Sequence, residues 1–372
     1  MTKAITDTIL LNLRKKRIAL VYDRVNKWGG AERVLLALHE LFPKAPLYTS
    51  VYHKENAPWA KVFSIKPTFL QRFSIVISSH ERFPFLMPIA FESFSFDDYD
   101  IVISVTSEAA KGIVTSSKTV HICYCLTPTR YLWSGYAEYF SNAIFRILAL
   151  PFVFYLRAWD VSAAQRPDVM IAISREVKER IKHFYKRDAI VVYPPLTFTA
   201  KKNTKNDGDG AYFLIVSRLV PYKKIQIAIQ ACNKLKLPLV IVGAGTEENN
   251  LRRIAGSTIT FISNLTDEEL VRYYKGCRAL IFPGSEDFGL TVVEAQSFGK
   301  PVIAYKGGGA LETVVSGKTG EFFYPHSSTA LIKILKDFDQ RRYKEKDCRT
   351  QAKKFAKENF TREFLLELSK HI

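Results

Sequence analysis

The chain alternates short apolar runs with segments of helical period. Residues 17–22 (RIALVY) form a run ending at Asp23, and a turn with Gly29 and Gly30 follows. In residues 31–42, Val34, Leu35, Leu38, Leu41 and Phe42 recur at helical spacing. Further runs at 47–51, 101–105, 120–125, 169–173 and 190–193 predict strands. Ser174 stands where an N-cap belongs, ahead of a helical pattern over 175–185. After Pro194 and Pro195 the character changes: residues 196–210 are polar and rich in Gly, Asn, Asp and Lys, a linker composition. A second alternation then starts. Strands are expected at 212–217, 239–242, 258–262, 279–282 and 302–304, with helices at 224–235, 267–274 and 290–298 and a mostly helical C-terminal third.

Strands alternating with helices, restarted after a linker, predict two doubly wound α/β domains. The expected boundaries are a first domain over 1–195, a linker over 196–210, a second domain over 211–355 and a C-terminal helix over 356–372. Ligands of such sheets sit at the C-terminal ends of the strands, and two facing domains place the expected site in the cleft between them.

Composition narrows the class. Of 372 residues, 47% are hydrophobic and 24% charged, as in ordinary globular proteins. The net charge is +18, spread evenly over the two halves, and it favours anionic surfaces such as phospholipid head groups or nucleotides. Five cysteines do not make a disulfide scaffold; Cys123 and Cys125 fall on one face of a strand and read as buried thiols. The cluster Arg14, Lys15, Lys16 and Arg17 precedes an apolar run too short for a signal peptide. The most apolar stretch, 143–156, carries Arg146 and Pro151 and is too short to span a bilayer; it is an interfacial helix or a core helix.

The strongest chemical constellation is Glu286-Asp-Phe-Gly-Leu-Thr-Val-Val-Glu294, between an apolar strand and a helix. Gly289 marks the turn into the helix, so the backbone N–H groups around Phe288, Gly289 and Leu290 are open to an anion. One carboxylate lies at the helix mouth and one inside it, both able to accept from sugar hydroxyls, a combination that suits a sugar nucleotide. Ser217-Arg218-Leu-Val-Pro-Tyr-Lys223-Lys224 follows the first strand of the second domain and supplies cations for a diphosphate. Lys27-Trp-Gly29-Gly30 lacks the dinucleotide fingerprint but permits close backbone approach. Residues 121–133 end a strand in a Pro-bearing loop whose Arg130 and Tyr131 are candidates for an acceptor wall. The pairs Asp98/Asp100 and Asp207/Asp209 read as turn and capping residues, and no metal site is expected.

These residues resemble the family 4 retaining glycosyltransferases of GT-B fold. The resemblance rests on VYDRVNKWGGAERV, HICYCLTPTRYLW, AISREVKERI with VVYPP, VSRLVPYKK, and the stretch from SEDFGLTVVEAQ to GEFF. The HICYC and TPTRYLW block is similar to bacterial mannosyltransferases of surface-polysaccharide assembly. The resemblance implies that Arg218 and Lys223 hold the diphosphate. Glu286 and the backbone of Phe288, Gly289 and Leu290 would hold the transferred sugar and distal phosphate, Glu294 the ribose, and Gly30 would approach from the first domain. Catalytic roles are expected of Glu286, Arg218 and Lys223. At the position where many relatives have His beside the donor sugar, this chain has Leu126. The implied reaction moves a hexose, mannose first, from a nucleotide-diphosphate sugar such as GDP-mannose to a glycan or lipid-linked glycan. The expectation is that no cofactor or metal is required, that no nucleic acid is bound, and that the protein is cytoplasmic and peripheral on the cytoplasmic face of the membrane, against its anionic surface. Two rival readings remain: an epimerase or phosphorylase of the same fold, and a catalytically silent sugar-nucleotide binder. Turnover with and without acceptor discriminates them.

Overall fold

The computed structural model describes residues 3–136, 143–199 and 210–371. The chain divides into two units, Met1–Pro195 with Lys357–Ile372, and Leu196–Ala356.

The first unit is built on a seven-stranded, all-parallel sheet in the order β3-β2-β1-β4-β5-β6-β7. Its strands are β1 (Ile18–Tyr22), β2 (Leu47–Thr49), β3 (Ile65–Pro67), β4 (Ile101–Thr106), β5 (Val120–Cys125), β6 (Val169–Ala172) and β7 (Ile190–Val191). The central strands are continuous apolar runs because helices cover both faces, and β1, β4 and β6 are buried at every position. The chain order reverses between β1 and β4, which are in register from Ile18 opposite Ile101 to Tyr22 opposite Val105. The crevice beyond their C-terminal ends is therefore the switch point of this sheet. The expected cap is present: Ser174 Oγ accepts from Val177 N at 3.1 Å and starts the helix Arg175–Tyr185. The helix Lys357–Leu368 packs in this unit, with the rings of Phe360 and Phe364 against Tyr124 of β5.

The second unit repeats the plan with six parallel strands in the order β10-β9-β8-β11-β12-β13. They are β8 (Tyr212–Val216), β9 (Leu239–Val242), β10 (Ile259–Ile262), β11 (Cys277–Phe282), β12 (Val302–Tyr305) and β13 (Gly320–Phe323). Its switch point lies between β8 and β11.

Several expectations need correction. The C-terminal third contributes a strand, β13, whose opening Gly320 has φ of +159° and hides the pattern. The helix after β8 begins at Ile225, because Lys224 is left-handed (φ 52°). A helix at Lys3–Leu13 and the short β3 were not foreseen. Leu196 and Phe198, placed in the linker by composition, are buried; residues 200–209, with Asp207 and Asp209, lie outside the described residues. All five cysteines are buried and free, and burial pushes the Cys123 thiol up to about 11.

Candidate active site

In the second unit the loops after β8 and β11 meet at the switch point. The first carries Arg218, Tyr222 and Lys223, and the second Glu286 and Phe288. Lys223 Nζ lies 2.5 Å from Glu286 Oε2, with both side chains largely buried. The approach is enforced by Gly284: a Cβ there would stand 3.1 Å from the Lys223 backbone. Arg218 is exposed and donates from Nη2 to the Tyr222 hydroxyl at 2.6 Å.

Gly289 (φ 87°, ψ 62°) is the N-cap of the helix Leu290–Ser297, and no side chain caps that helix. A left-handed residue is required to turn the chain from the Glu286 loop into the helix, and a Cβ would meet the Phe282 ring at 3.0 Å. The helix N-terminus thus presents uncapped N–H groups beside the Lys223–Glu286 pair. The Phe288 side chain is buried against Phe355, so only its backbone can serve a ligand. Leu290 opens the helix and is partly buried. Glu294, inside the helix, is buried, and its Oε2 accepts from the Tyr274 hydroxyl at 2.8 Å.

The sequence reading missed what steadies this loop. Gly309 N donates to Glu286 O at 2.8 Å, and Cβ atoms on Gly308 and Gly309 would strike the backbone of Glu286 and Phe288 at 2.3 Å. The signal was three consecutive glycines, 307–309, which only side-chain-free backbone explains.

In the first unit, Asp23 follows β1 and collects five donors from the last residue of β4 and the segment after it. Oδ1 accepts from Thr106 Oγ1, Ala109 N and Ala110 N, and Oδ2 from Ser107 N and Oγ. Beside it Arg24 Nη1 pairs with Glu108 Oε2 at 2.5 Å, and the Tyr131 hydroxyl bonds the same carboxylate. The β1 loop and the loop bearing Arg130 and Tyr131 are thereby joined through Glu108, a residue no local motif marks. Gly30 opens the helix Gly30–Leu41 and is exposed, with Gly29 as an N-cap lacking a side-chain cap. Arg130 is half-buried, and its carbonyl accepts from Gly135 N.

Leu126 follows β5 and is half-buried. His121, five residues earlier, is fully buried, with Nε2 2.8 Å from Ser104 Oγ. Burial, and then the charges of Arg187 and Arg166, lower its pKa to about 3. It is a neutral structural residue and does not substitute for the side chain missing at 126. Asp100 accepts from Arg17 N, and Asp98 lies 3.8 Å from Arg17 Nη1, so that pair closes a turn. Among the described residues no three metal-ligating side chains converge.

The helix Ala143–Ala163 holds the loop bearing Arg130 and Tyr131 from behind. Its Asp160 accepts from Thr129 Oγ1, Trp133 Nε1 and Tyr185 Oη and pairs with buried Lys111 at 2.5 Å. Its Val153 and Leu156 pack on Leu132. The opposite face is not core: Ile144, Ile147, Leu148, Phe152 and Phe154 are exposed, Phe154 by 77%. Phe152 approaches the exposed Phe85, and Phe73, Ile75 and Ile89 of the same unit are exposed as well. Among the described residues no helix is long and apolar enough to cross a membrane.

Residues 197–355 match the family model described as glycosyl transferases group 1. The chain is similar to the O-antigen chain mannosyltransferase C of Escherichia coli, 33% identical over 138 residues, covering 35% of this chain and 37% of that protein. It is similar to alpha-1,3/1,6-mannosyltransferase ALG2 of Dictyostelium discoideum, 25% identical over 297 residues, covering 66% of this chain and 69% of the other. The matches to the first curated relatives span less than half of those proteins' own length. Among solved structures, Anabaena Alr3699/HepE in complex with UDP-glucose shares the fold at a TM-score of 0.71 and 18% identity, over 95% of this chain and 99% of that one. The architecture is that of GT-B proteins, two parallel-sheet α/β domains.

Proposed function

We propose that this chain, whose residues 197–355 match the glycosyl transferases group 1 model, moves a hexose from a nucleotide-diphosphate sugar to a glycan or lipid-linked glycan with retention of configuration. The observation that carries the reading is the Lys223–Glu286 pair across the second switch point, beside an uncapped helix N-terminus. A diphosphate brings to Lys223 a stronger counter-ion than one carboxylate, and Arg218 adds a second cation. Glu286, released from Lys223, then accepts from hydroxyls of the transferred sugar, and the N–H groups around Phe288, Gly289 and Leu290 hold the distal phosphate. Glu294 serves the ribose.

In the proposed step the acceptor oxygen bonds to the anomeric carbon as the bond from that carbon to the phosphate oxygen breaks. The acceptor's proton passes to the departing phosphate oxygen, giving a glycoside and a nucleoside diphosphate. No dedicated base is needed. Rate enhancement comes from orientation and from stabilising the leaving group, with Arg218, Lys223 and backbone N–H groups in place of a metal. Mannose from GDP-mannose is the first expectation, on the likeness to two mannosyltransferases; uridine is the competing base, since UDP-glucose is bound by the Anabaena protein.

The exposed apolar face of Ala143–Ala163 and the +18 charge support a peripheral position on the cytoplasmic face of a membrane, where a lipid-linked acceptor is presented.

The deciding experiment is thermal unfolding with GDP, UDP, ADP and dTDP, with and without chelator, followed by turnover of the matching sugar nucleotide. A ligand at 100 times its dissociation constant adds about 2.7 kcal/mol. Stabilisation by none of the four removes the transferase reading; stabilisation lost to chelator removes the metal-free one.

A further inference from the structure

Nearly every polar group at the end of β1 is matched: Asp23 by five donors, Arg24 Nη1 by Glu108, Lys111 by Asp160. Three atoms at the same place are not. Arg24 Nε, Asn26 Oδ1 and His80 Nε2 are buried without a hydrogen-bond partner. They belong to one group. Asn26 Nδ2 lies 3.1 Å from His80 Nδ1, and the charges of Arg24 and Lys27 act on the His80 ring. Glu81 Oε1 comes only within 3.9 Å of His80 Nε2 from an exposed side chain. His80 is 5% exposed. A buried donor or acceptor left unpaired is costly, and three together at a switch point mark a place built for a ligand.

The donor and acceptor pattern selects the ligand. Burial, with Arg24 and Lys27 nearby, lowers the His80 pKa to about 3, so the ring is neutral. With Asn26 Nδ2 donating to His80 Nδ1, the ring proton is assigned to Nε2. The unpartnered set is then two donors, Arg24 Nε and His80 Nε2, and one acceptor, Asn26 Oδ1. Phosphate and carboxylate only accept, and either would set an oxygen against Asn26 Oδ1. A hydroxyl both donates and accepts, and adjacent hydroxyls satisfy all three atoms. The positive charge of Arg24 is already met by Glu108. Asn26 and Arg24 are half-buried, so the group lies at the edge of the core, and Trp28 on the same loop is 44% exposed and offers an apolar wall.

We propose that Arg24, Asn26 and His80 form a subsite for an uncharged polyhydroxylated group, a pyranose ring of the acceptor and not its phosphate. The word acceptor rests on the transferase reading; the binding does not require turnover.

The test is saturation-transfer difference NMR with methyl α-D-mannopyranoside and methyl α-D-glucopyranoside as probes, on the wild type, Asn26→Leu, His80→Phe and His80→Gln. The wild type should show transfer from at least one pyranoside. Asn26→Leu and His80→Phe should weaken it about tenfold, the value of one hydrogen bond, while His80→Gln, which keeps an N–H, retains more. Inorganic pyrophosphate should not displace the sugar. Equal signals in the wild type and both deletion variants, no signal from either pyranoside, or displacement by pyrophosphate would each overturn the proposal. Nucleoside-diphosphate thermal shifts on the same samples report folding and separate the two readings. Their absence in the wild type removes the transferase reading alone. Their presence with sugar signals that do not change among variants removes the subsite alone.

Discussion

Lys223 and Glu286 reach each other, Nζ to Oε2 at 2.5 Å, from loops that follow two strands adjacent in the sheet but separated in the chain. Each is the other's counter-ion, so the pair makes opposite predictions for its members. Lys223→Ala removes a charged partner of the diphosphate and should weaken nucleoside-diphosphate binding about tenfold or more. Glu286→Ala removes a competitor for the same ammonium. It should leave that binding unchanged or tighter while turnover falls about a hundredfold, as when a group aimed at the reacting sugar is lost. Calorimetric titration and steady-state rates on both variants decide this; equal losses of nucleotide affinity would contradict the assigned roles.

The glycines that shape the loop differ in what they tolerate. Gly289→Ala places a Cβ 3.0 Å from the Phe282 ring at φ +87°, and should cost about 1–2 kcal/mol in urea unfolding. Gly309→Ala puts a Cβ 2.3 Å from the Phe288 backbone, which cannot yield without moving Glu286. That variant should lose the nucleotide-induced thermal shift as well as stability. Gly317, also at positive φ but with nothing within 4 Å, is the control: its alanine variant should keep the shift.

The contrast between the two units shows what a sequence makes legible. β1, β4, β5 and β9 are apolar runs because parallel strands are buried on both faces, and their pattern is local. Lys223, Glu286, Gly289 and Glu294 likewise lie in the loop or first helix that directly follows a strand, where a motif can mark them. Glu108, His80 and Asp160 carry no such mark. Each acts through partners far along the chain: Glu108 through Arg24, His80 through Asn26, Asp160 through Lys111, Thr129 and Tyr185. Pairing of β1 with β4 brings Glu108 to Arg24, the β1-β2-β3 side of the sheet brings His80 to Asn26, and the run β4-β5-β6 gathers the partners of Asp160. The exposed face of Ala143–Ala163 was ambiguous for a related reason. A helix apolar all round reads the same whether core or lipid covers it, and only the position of Asp160 and Leu156 against the loop at 129–133 shows which side faces inward.

Buried neutral histidines predict a pH dependence. His121 has a folded pKa of about 3 against an ordinary value near 6.5. Above the unfolded value both states are uncharged and its stability contribution is intact. As pH falls below about 6.5 the unfolded chain takes up a proton that the folded one refuses, so stability is lost progressively toward pH 3. Between pH 7 and 5 this amounts to about 2 kcal/mol for one such group. Urea unfolding should therefore show a smaller drop over that interval in His121→Asn than in the wild type, whatever the variant's stability at pH 7. Equal drops would mean that His121 is protonated in the native state.

The last prediction concerns the outer face of Ala143–Ala163. Phe154 and Leu148 are exposed by 77% and 69%, and Phe152 of the same helix approaches the exposed Phe85. Burying one such side chain is worth about 1.5–3 kcal/mol, and several exposed on one helix mark a surface that a partner or lipid covers. Arg146 on the helix is exposed, as are Arg72 and Arg82 close in the chain to Phe73 and Phe85, and each basic side chain near an anionic surface adds about 1 kcal/mol. Shallow insertion of the apolar face with basic residues at the head groups is therefore the expected mode. The protein should sediment with phosphatidylcholine vesicles containing phosphatidylglycerol at low salt and be released at high salt. Phe154→Ser with Leu148→Ser should lower partitioning about tenfold or more while leaving nucleoside-diphosphate binding intact. A second copy of the chain is the rival occupant of this face. Sedimentation velocity decides between them: a dimer that the double variant converts to monomer, with no vesicle binding by the wild type, would assign the patch to self-association and remove the membrane from the account.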